Sequence, residues 1–292
     1  MTAPEPAVPL PSDIAAAVAR ALEEDVGAGD VTAALIAPTT RAHAAVVAKE
    51  DAVLCGTAWF DEVFRRLDPA IVVRWHARDG DDVRSGTTVC ELAGPARPIL
   101  TGERTALNFL QTLSGTATAA RRYAQALAGT GCRVLDTRKT LPGLRRAQKY
   151  AVRVGGGTNH RLGLYDGVLI KENHIAAAGG VAAAVAAARR NTPSIPIEVE
   201  VETLDELREA LDTDADRIML DDFSLDDMRR AVALRDAHPG RRKELEASGS
   251  VALERLRAVA ETGVDFVSVG ALTKHVTAID FSMRFQTPAS PA

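Results

Sequence analysis

Apolar and polar positions follow two different rhythms along the chain. Residues 14–24 place apolar side chains at helical spacing, with Ser12 at the N-cap position ahead of them and Gly27 to Asp30 ending the run. From Ala42 to about Leu100 the spacing shortens to alternating segments, A-H-A-A-V-V-A-K, I-V-V-R-W-H-A and T-T-V-C-E-L, punctuated by Gly56, Gly80, Gly86 and Gly94. That alternation predicts a small β-rich domain. Thr101-Gly102-Glu103 then opens a long helix expected over residues 104–128, with Leu107, Leu110 and Leu113 on one face.

Beyond Cys132 short apolar runs alternate with amphipathic ones. Strands are expected at 133–136, 167–170, 197–201, 217–220, 243–247 and 266–269, and helices at 181–190, 204–211, 225–236 and 251–262. Strands joined by crossover helices make a parallel sheet, either an α/β barrel or a doubly wound sheet. The barrel is favoured because the strands end in polar or glycine residues: Arg138-Lys139, Lys171, Glu200, Asp221, Ser248-Gly249 and Gly270. In a barrel those ends ring the site, whereas a doubly wound sheet concentrates it at one switch point.

Composition narrows the class. The chain has 292 residues and 46% hydrophobic content, enough to bury one large core or two. No apolar run approaches the roughly 20 residues of a membrane helix. The opening M-T-A-P-E-P-A-V-P-L-P shows no positive or apolar leader region, and residues 1–11 read as a disordered arm. A cytoplasmic protein with no membrane partner is expected. Cys55, Cys90 and Cys132 match no C-x-x-C spacing, which argues against disulfides and structural zinc. A formal net charge of -4 argues against a general nucleic-acid binder.

Charge is unevenly spread, however. Residues 134–171 carry eight Lys or Arg against two Asp, in a chain with 35 basic and 39 acidic residues. Two apolar runs in this stretch end in cations, Arg138 and Lys139 after the first and Lys171 after the second. Between them Gly155, Gly156 and Gly157 leave backbone amides accessible before Thr158, Asn159, His160 and Arg161. Five cationic or potentially cationic side chains thus converge on one anionic ligand. Arg104 falls in the first turn of its expected helix, where a cation opposes the dipole by several tenths of a kcal/mol, and an outside anion would compensate.

The other strand ends have their own chemistry. Ser248-Gly249-Ser250 precedes an expected helix, so free amides there suit a terminal phosphate, with Gly270-Ala271 as a second side of the cradle. Glu200 and Asp221 suit ribose hydroxyls, a magnesium ion, or positive charge at an anomeric carbon. Glu198 and Glu202 share the face of Glu200 by period two, and the spacing does not choose among the three. As salt-bridge partners of the lysines the same carboxylates would be structural. A Schiff-base aldolase using Lys171 and Glu200 is a second class of reading, and a non-catalytic scaffold a third.

The segment D-G-D-D-V-R-S-G-T-T-V-C-E-L resembles a biotinyl/lipoyl-type hammerhead domain, without a lysine to acylate. A longer resemblance covers nearly the whole chain. T-R-K-T-L-P-G-L-R at 137–145, G-G-G-T-N-H-R-L-G-L-Y-D-G-V-L-I-K-E-N-H-I at 155–175, E-V-E at 198–200, L-D-D at 220–222, E-A-S-G at 246–249 and V-G-A-L-T-K-H at 269–275 resemble quinolinate phosphoribosyltransferases. A relative associated with molybdate transport is the nearest rival within that resemblance.

The resemblance implies an open six-to-seven-stranded α/β barrel at 113–275. It also implies a smaller α/β sandwich at 27–112, joined by 276–292 and preceded by the arm and helix at 1–26. It implies magnesium and transfer of phosphoribose from phosphoribosyl pyrophosphate to quinolinate with decarboxylation. Arg104, Arg138, His160 and Arg161 would hold the quinolinate carboxylates, and Lys139 and Lys171 would line the junction with pyrophosphate. Glu200 and Asp221 would bind ribose hydroxyls and magnesium. Ser248, Gly249, Ser250, Gly270 and Ala271 would cradle the 5'-phosphate, and His275 would reach the pyrophosphate. Ser250 stands where such sequences often have Gly. A homodimer, or a hexamer built from dimers, would donate Arg104 across the interface.

Overall fold

The computed structural model describes residues 8–249 and 251–286. Part of the expected arm, residues 1–7, and Ser250 lie outside them. Among the described residues no helix is long and apolar enough to cross a membrane. The chain packs as two compact units, one from the described parts of 1–121, 141–156 and 275–292, the other from 122–140 and 157–274. Residues 141–156, expected in the barrel, pack with the small unit because their helix Arg145–Val154 puts Ala147, Tyr150 and Ala151 into its core. Tyr150 also donates its hydroxyl to Asp79 at 2.8 Å.

The small unit is built on an antiparallel sheet in the order Phe281–Phe285, Arg41–Ala48, Thr88–Pro95, Val72–Trp75. Its first pairing sets Ala44 opposite Phe285 and Ala48 opposite Phe281, so the C-terminal segment closes this sheet. The alternation predicted strands here but missed a helix, Thr57–Leu67, which buries Trp59, Phe60, Val63 and Phe64. Their i, i+1, i+4, i+5 spacing is helical, and each buried side chain contributes roughly 1.5–3 kcal/mol by area. The helix stops at Asp68 because the following Pro69 disfavours helical backbone there.

Two helix starts differ from expectation. The first helix runs Ile14–Val26 with Asp13, not Ser12, at the N-cap position, and no side chain caps it. The long helix runs Ala96–Ala126, so it begins eight residues before the expected start. Pro98 belongs to its first turn, where a missing N–H is harmless. Gly102 is no helix start: a Cβ there would sit 2.7 Å from Leu67 and 2.8 Å from Phe64, and its bareness admits the neighbouring helix. Arg104 is therefore exposed in the helix interior, and the dipole argument for it fails.

The larger unit is a parallel six-stranded sheet in the order Arg133–Leu135, Phe266–Ser268, Glu244–Ser248, Arg217–Asp221, Ile197–Val201, Val168–Ile170. Helices Val181–Asn191, Leu204–Leu211, Leu225–Ala237 and Leu253–Ala260 alternate with the strands, giving the expected open α/β barrel. Thr158 forms a one-residue parallel bridge with Leu135, a rudimentary seventh strand. The expected helix at 251–262 is shorter at both ends, starting at Leu253 and stopping at Ala260.

Candidate active site

The strand Ile197–Val201 reads I-E-V-E-V, so the pleat turns Glu198 and Glu200 to the face opposite Ile197, Val199 and Val201. Both carboxylates are only 6% exposed. A charge buried that deeply needs a partner. Glu200 accepts from Lys171 Nζ at 2.6 Å, across the neighbouring strand end. Glu202 is exposed and its own N–H binds Glu206 at 2.7 Å, which removes it from the set that spacing had left open.

Glu198 lies two residues nearer the strand's start and meets His160, whose Nε2 is 2.7 Å from its Oε2. His160 is itself held by its backbone N–H, which donates to Asp136 Oδ1 at 2.8 Å, while Asn159 donates to Asp136 Oδ2 at 2.6 Å. The backbone N–H of Arg161 donates to His160 Nδ1 at 2.7 Å. Nδ1 therefore accepts, which assigns the ring proton to Nε2 and aims it at Glu198. His160 was expected to hold a substrate carboxylate. Its two ring nitrogens lie against the Arg161 amide and the Glu198 carboxylate.

Glu246 is fully buried and its Oε2 lies 3.6 Å from the same Nε2. Glu246 and Glu198 thus both approach one His160 nitrogen, and two carboxylates so placed resist being ionised together. Burial, then the Glu198 charge, pushes Glu246 up to about 8. Burial raises Glu198 as well, opposed by Arg217. Arg217 donates to Glu246 at 3.3 Å and stacks over Phe266, with its guanidinium carbon 4.2 Å from the ring centroid.

The cations sit above this acidic layer. Arg138 and Lys139 follow the first strand, and Arg161 anchors its guanidinium on the Gly167 carbonyl at 3.1 Å. Burial, and then the charge of Arg138, hold Arg161 below its usual value. Two guanidinium groups close enough to repel each other favour an anion between them. Lys139 passes Gly270, where a Cβ would stand 2.9 Å from the lysine Cδ, and Thr273 donates to the Lys139 carbonyl at 2.9 Å.

Asp221 ends its strand in register with Ser248, joining the carboxylate edge to the expected phosphate cradle. Gly249 follows at φ +128, and a Cβ there would meet Asp222 Oδ1 at 2.4 Å, so only glycine leaves that backbone open. Asp222 takes φ 52, uncommon for a side-chain-bearing residue, and its N–H reaches the Ser248 carbonyl at 3.2 Å. Ala271 starts the short helix Ala271–Lys274 just after Gly270.

Within the barrel unit the structure thus gathers Arg138, Lys139, Arg161, Lys171, Glu200, Asp221, Ser248, Gly249, Gly270 and Ala271 at the C-terminal strand ends. Arg104 and His275 belong to the small unit and are exposed. Asp136, Glu246 and Arg217 had been given no role. Their signal was a charge inside an apolar run, as in V-L-D and L-E-A.

Comparisons with known proteins cover nearly the whole chain. Residues 30–114 match the quinolinate phosphoribosyl transferase N-terminal domain and residues 116–284 its C-terminal domain. A probable nicotinate-nucleotide pyrophosphorylase [carboxylating] of Bacillus subtilis is 44% identical over 261 residues, 89% of each chain. The chloroplastic Arabidopsis thaliana enzyme of that name is 40% identical, covering 94% of this chain and 83% of its own. Among solved structures, the nicotinate-nucleotide pyrophosphorylase of Francisella tularensis superposes with a TM-score of 0.91 at 44% identity, covering 97% of this chain and all of that one.

Proposed function

The chain belongs to the quinolinate phosphoribosyltransferase family, and on that premise we propose how its residues carry out the family's reaction. The enzyme transfers phosphoribose from phosphoribosyl pyrophosphate to the ring nitrogen of quinolinate with decarboxylation, giving nicotinate mononucleotide, pyrophosphate and carbon dioxide for NAD biosynthesis. The observation that carries the residue assignment is the placement of Arg138 and Arg161 together in the barrel unit, with the Arg161 guanidinium held on the Gly167 carbonyl at 3.1 Å. A planar dicarboxylate matches them, each carboxylate accepting two hydrogen bonds from a guanidinium fork.

Arg138 and Arg161 hold the acid in this reading, with Arg104 supplied by the second chain of a homodimer. Lys139 and Lys171 face the leaving pyrophosphate. Gly249, Gly270 and Ala271, with Ser248 and Ser250, cradle the 5'-phosphate. As the bond from ribose to pyrophosphate breaks, its electron pair leaves with pyrophosphate and the ribose carbon turns cationic. Glu200 and Asp221 favour that charge. The ring nitrogen attacks, the adjacent carboxylate departs as carbon dioxide leaving its electron pair on the ring carbon beside the cationic nitrogen, and a proton from solvent then adds to that carbon. Positioning and charge therefore replace a nucleophile.

Glu200 and Asp221 offer hard oxygen donors at neighbouring strand ends, a donor set that fits magnesium. When bound there with pyrophosphate, magnesium would neutralise the leaving group's charge. A cytoplasmic location is part of this reading. Carbon dioxide released from carboxyl-labelled quinolinate, dependent on both phosphoribosyl pyrophosphate and magnesium, is the expected result. Label release without phosphoribosyl pyrophosphate would reject the reading.

A further inference from the structure

One group inside the barrel has no job in the reaction above. Glu198 is buried, sits two residues before Glu200 on the same face, and touches neither Lys171 nor the strand-end cradle. It does touch a chain of contacts that ends at the cations. Glu198 accepts the Nε2 proton of His160 at 2.7 Å, His160 Nδ1 accepts the Arg161 amide at 2.7 Å, and Arg161 rests its guanidinium on the Gly167 carbonyl at 3.1 Å.

The geometry points to Glu198 as a positioning residue for quinolinate: by fixing the His160 ring it holds the Arg161 backbone, and so sets where the Arg161 guanidinium meets the substrate carboxylate. This rests on the assignment of Arg161 to quinolinate made above. Three features support the link. Ring rotation would break both of its hydrogen bonds at once, so the contacts at Nε2 and Nδ1 stand or fall together. The backbone side of His160 is already fixed by Asp136, and its ring meets Glu198 at Nε2 at 2.7 Å. Glu246, 3.6 Å from the same Nε2, is too far for a good hydrogen bond and cannot replace Glu198 without moving.

The link acts on one substrate only. Among the described residues no hydrogen bond or ion pair joins Glu198, His160 or Arg161 to Asp221, Ser248 or Gly249, where phosphoribosyl pyrophosphate is assigned. A loosened Arg161 should therefore weaken quinolinate binding and leave the other substrate alone, whereas general damage to the barrel would affect both.

Steady-state kinetics on the whole enzyme separates these cases. Glu198→Ala should raise the quinolinate KM by about tenfold, while kcat and the phosphoribosyl pyrophosphate KM stay within about twofold. Glu198→Gln keeps an acceptor for His160 Nε2 and should return the quinolinate KM to within about twofold of the parent. The double variant Glu198→Ala/Arg161→Ala should be no worse for quinolinate than Arg161→Ala alone, because both changes cut one chain of contacts. If the alanine variant does not fold, Glu198→Asp shortens the acceptor in place and should raise the same KM several-fold. Equal increases in both KM values, or a glutamine variant as impaired as the alanine one, would overturn the link. Arg161→Ala with an unchanged quinolinate KM would instead reject the assignment on which the link rests, and the two failures are distinguishable.

Discussion

The two units bury very different things. The small unit encloses Trp59, Phe60, Phe64, Leu92, Ile99, Leu107 and Leu110, a core of hydrocarbon and aromatic rings in which Phe60 stacks edge-on to both Phe64 and Trp75. The barrel buries Asp136, Glu198, Glu200 and Glu246 together with much of His160 and Arg217. An apolar interior stabilises by area alone, whereas each buried charge is tolerated only where partners satisfy it. The first kind of interior builds a scaffold and the second builds a site.

That contrast predicts opposite outcomes for the same substitution chemistry. Glu200→Ala should lower kcat by on the order of a hundredfold or more while the melting temperature changes little, because the carboxylate's benefit grows as the ribose becomes cationic. Phe64→Ala should do the reverse, destabilising by about 3–5 kcal/mol with activity per folded molecule nearly unchanged. Turnover assays paired with thermal melts read both. A large kcat loss in Phe64→Ala at full folding would blur the division between the interiors.

Arg104 sharpens the comparison, because it is the small unit's proposed contribution to chemistry and lies on an exposed helix face rather than in the core. Arg104→Ala and Glu200→Ala, each nearly inactive alone, should regain activity when unfolded and refolded together. Random pairing makes half the dimers mixed, each with one intact site of two, so about a quarter of all sites should work. Mixed dimers confirmed by mass but without activity would place Arg104 within its own chain or outside the site.

A pH effect on the same interior concerns Glu246. Glu246 has its folded value raised to about 8 from the usual 4.5, so the folded state holds this proton more tightly than the unfolded chain. Its contribution to stability is fully present below the unfolded value and is lost as pH rises through about 8. Between those limits stability should fall with pH, by at most ~1.4 kcal/mol per unit for one proton. Glu246→Gln, which carries no titrating proton, should flatten that slope in melts run from pH 5 to 8. An identical slope in the variant would move that proton elsewhere.

Legibility in the sequence divides along the same line. The barrel strands were readable to within about a residue because V-L, V-L-I and I-M-L are compact apolar runs with turn residues after them. Strand ends carry the site, so reading the ends located Lys171, Glu200, Asp221 and Gly270 as well. The helix Thr57–Leu67 was lost because it is short and lies among alternating strands, and the true start of the long helix because Thr101-Gly102 imitates a boundary. Glycine there serves contact with Phe64 and Leu67, a tertiary cause that no local pattern displays. The partner of a buried charge is equally non-local: His160 and Glu198 are 38 residues apart, so their contact could not be read from spacing.

The central claim is that the barrel's cations form a dicarboxylate site, and acceptor selectivity tests it most directly. Nicotinate has the ring nitrogen and the 3-carboxylate of quinolinate but lacks the 2-carboxylate. Its use would leave a half-buried guanidinium without its partner, at roughly 2–5 kcal/mol. With phosphoribosyl pyrophosphate held saturating, kcat/KM for nicotinate should fall below that for quinolinate by a factor on the order of a hundred or more, and nicotinate mononucleotide should form from quinolinate with one carbon dioxide per turnover. Comparable kcat/KM for the two acids would contradict the assignment of Arg138 and Arg161.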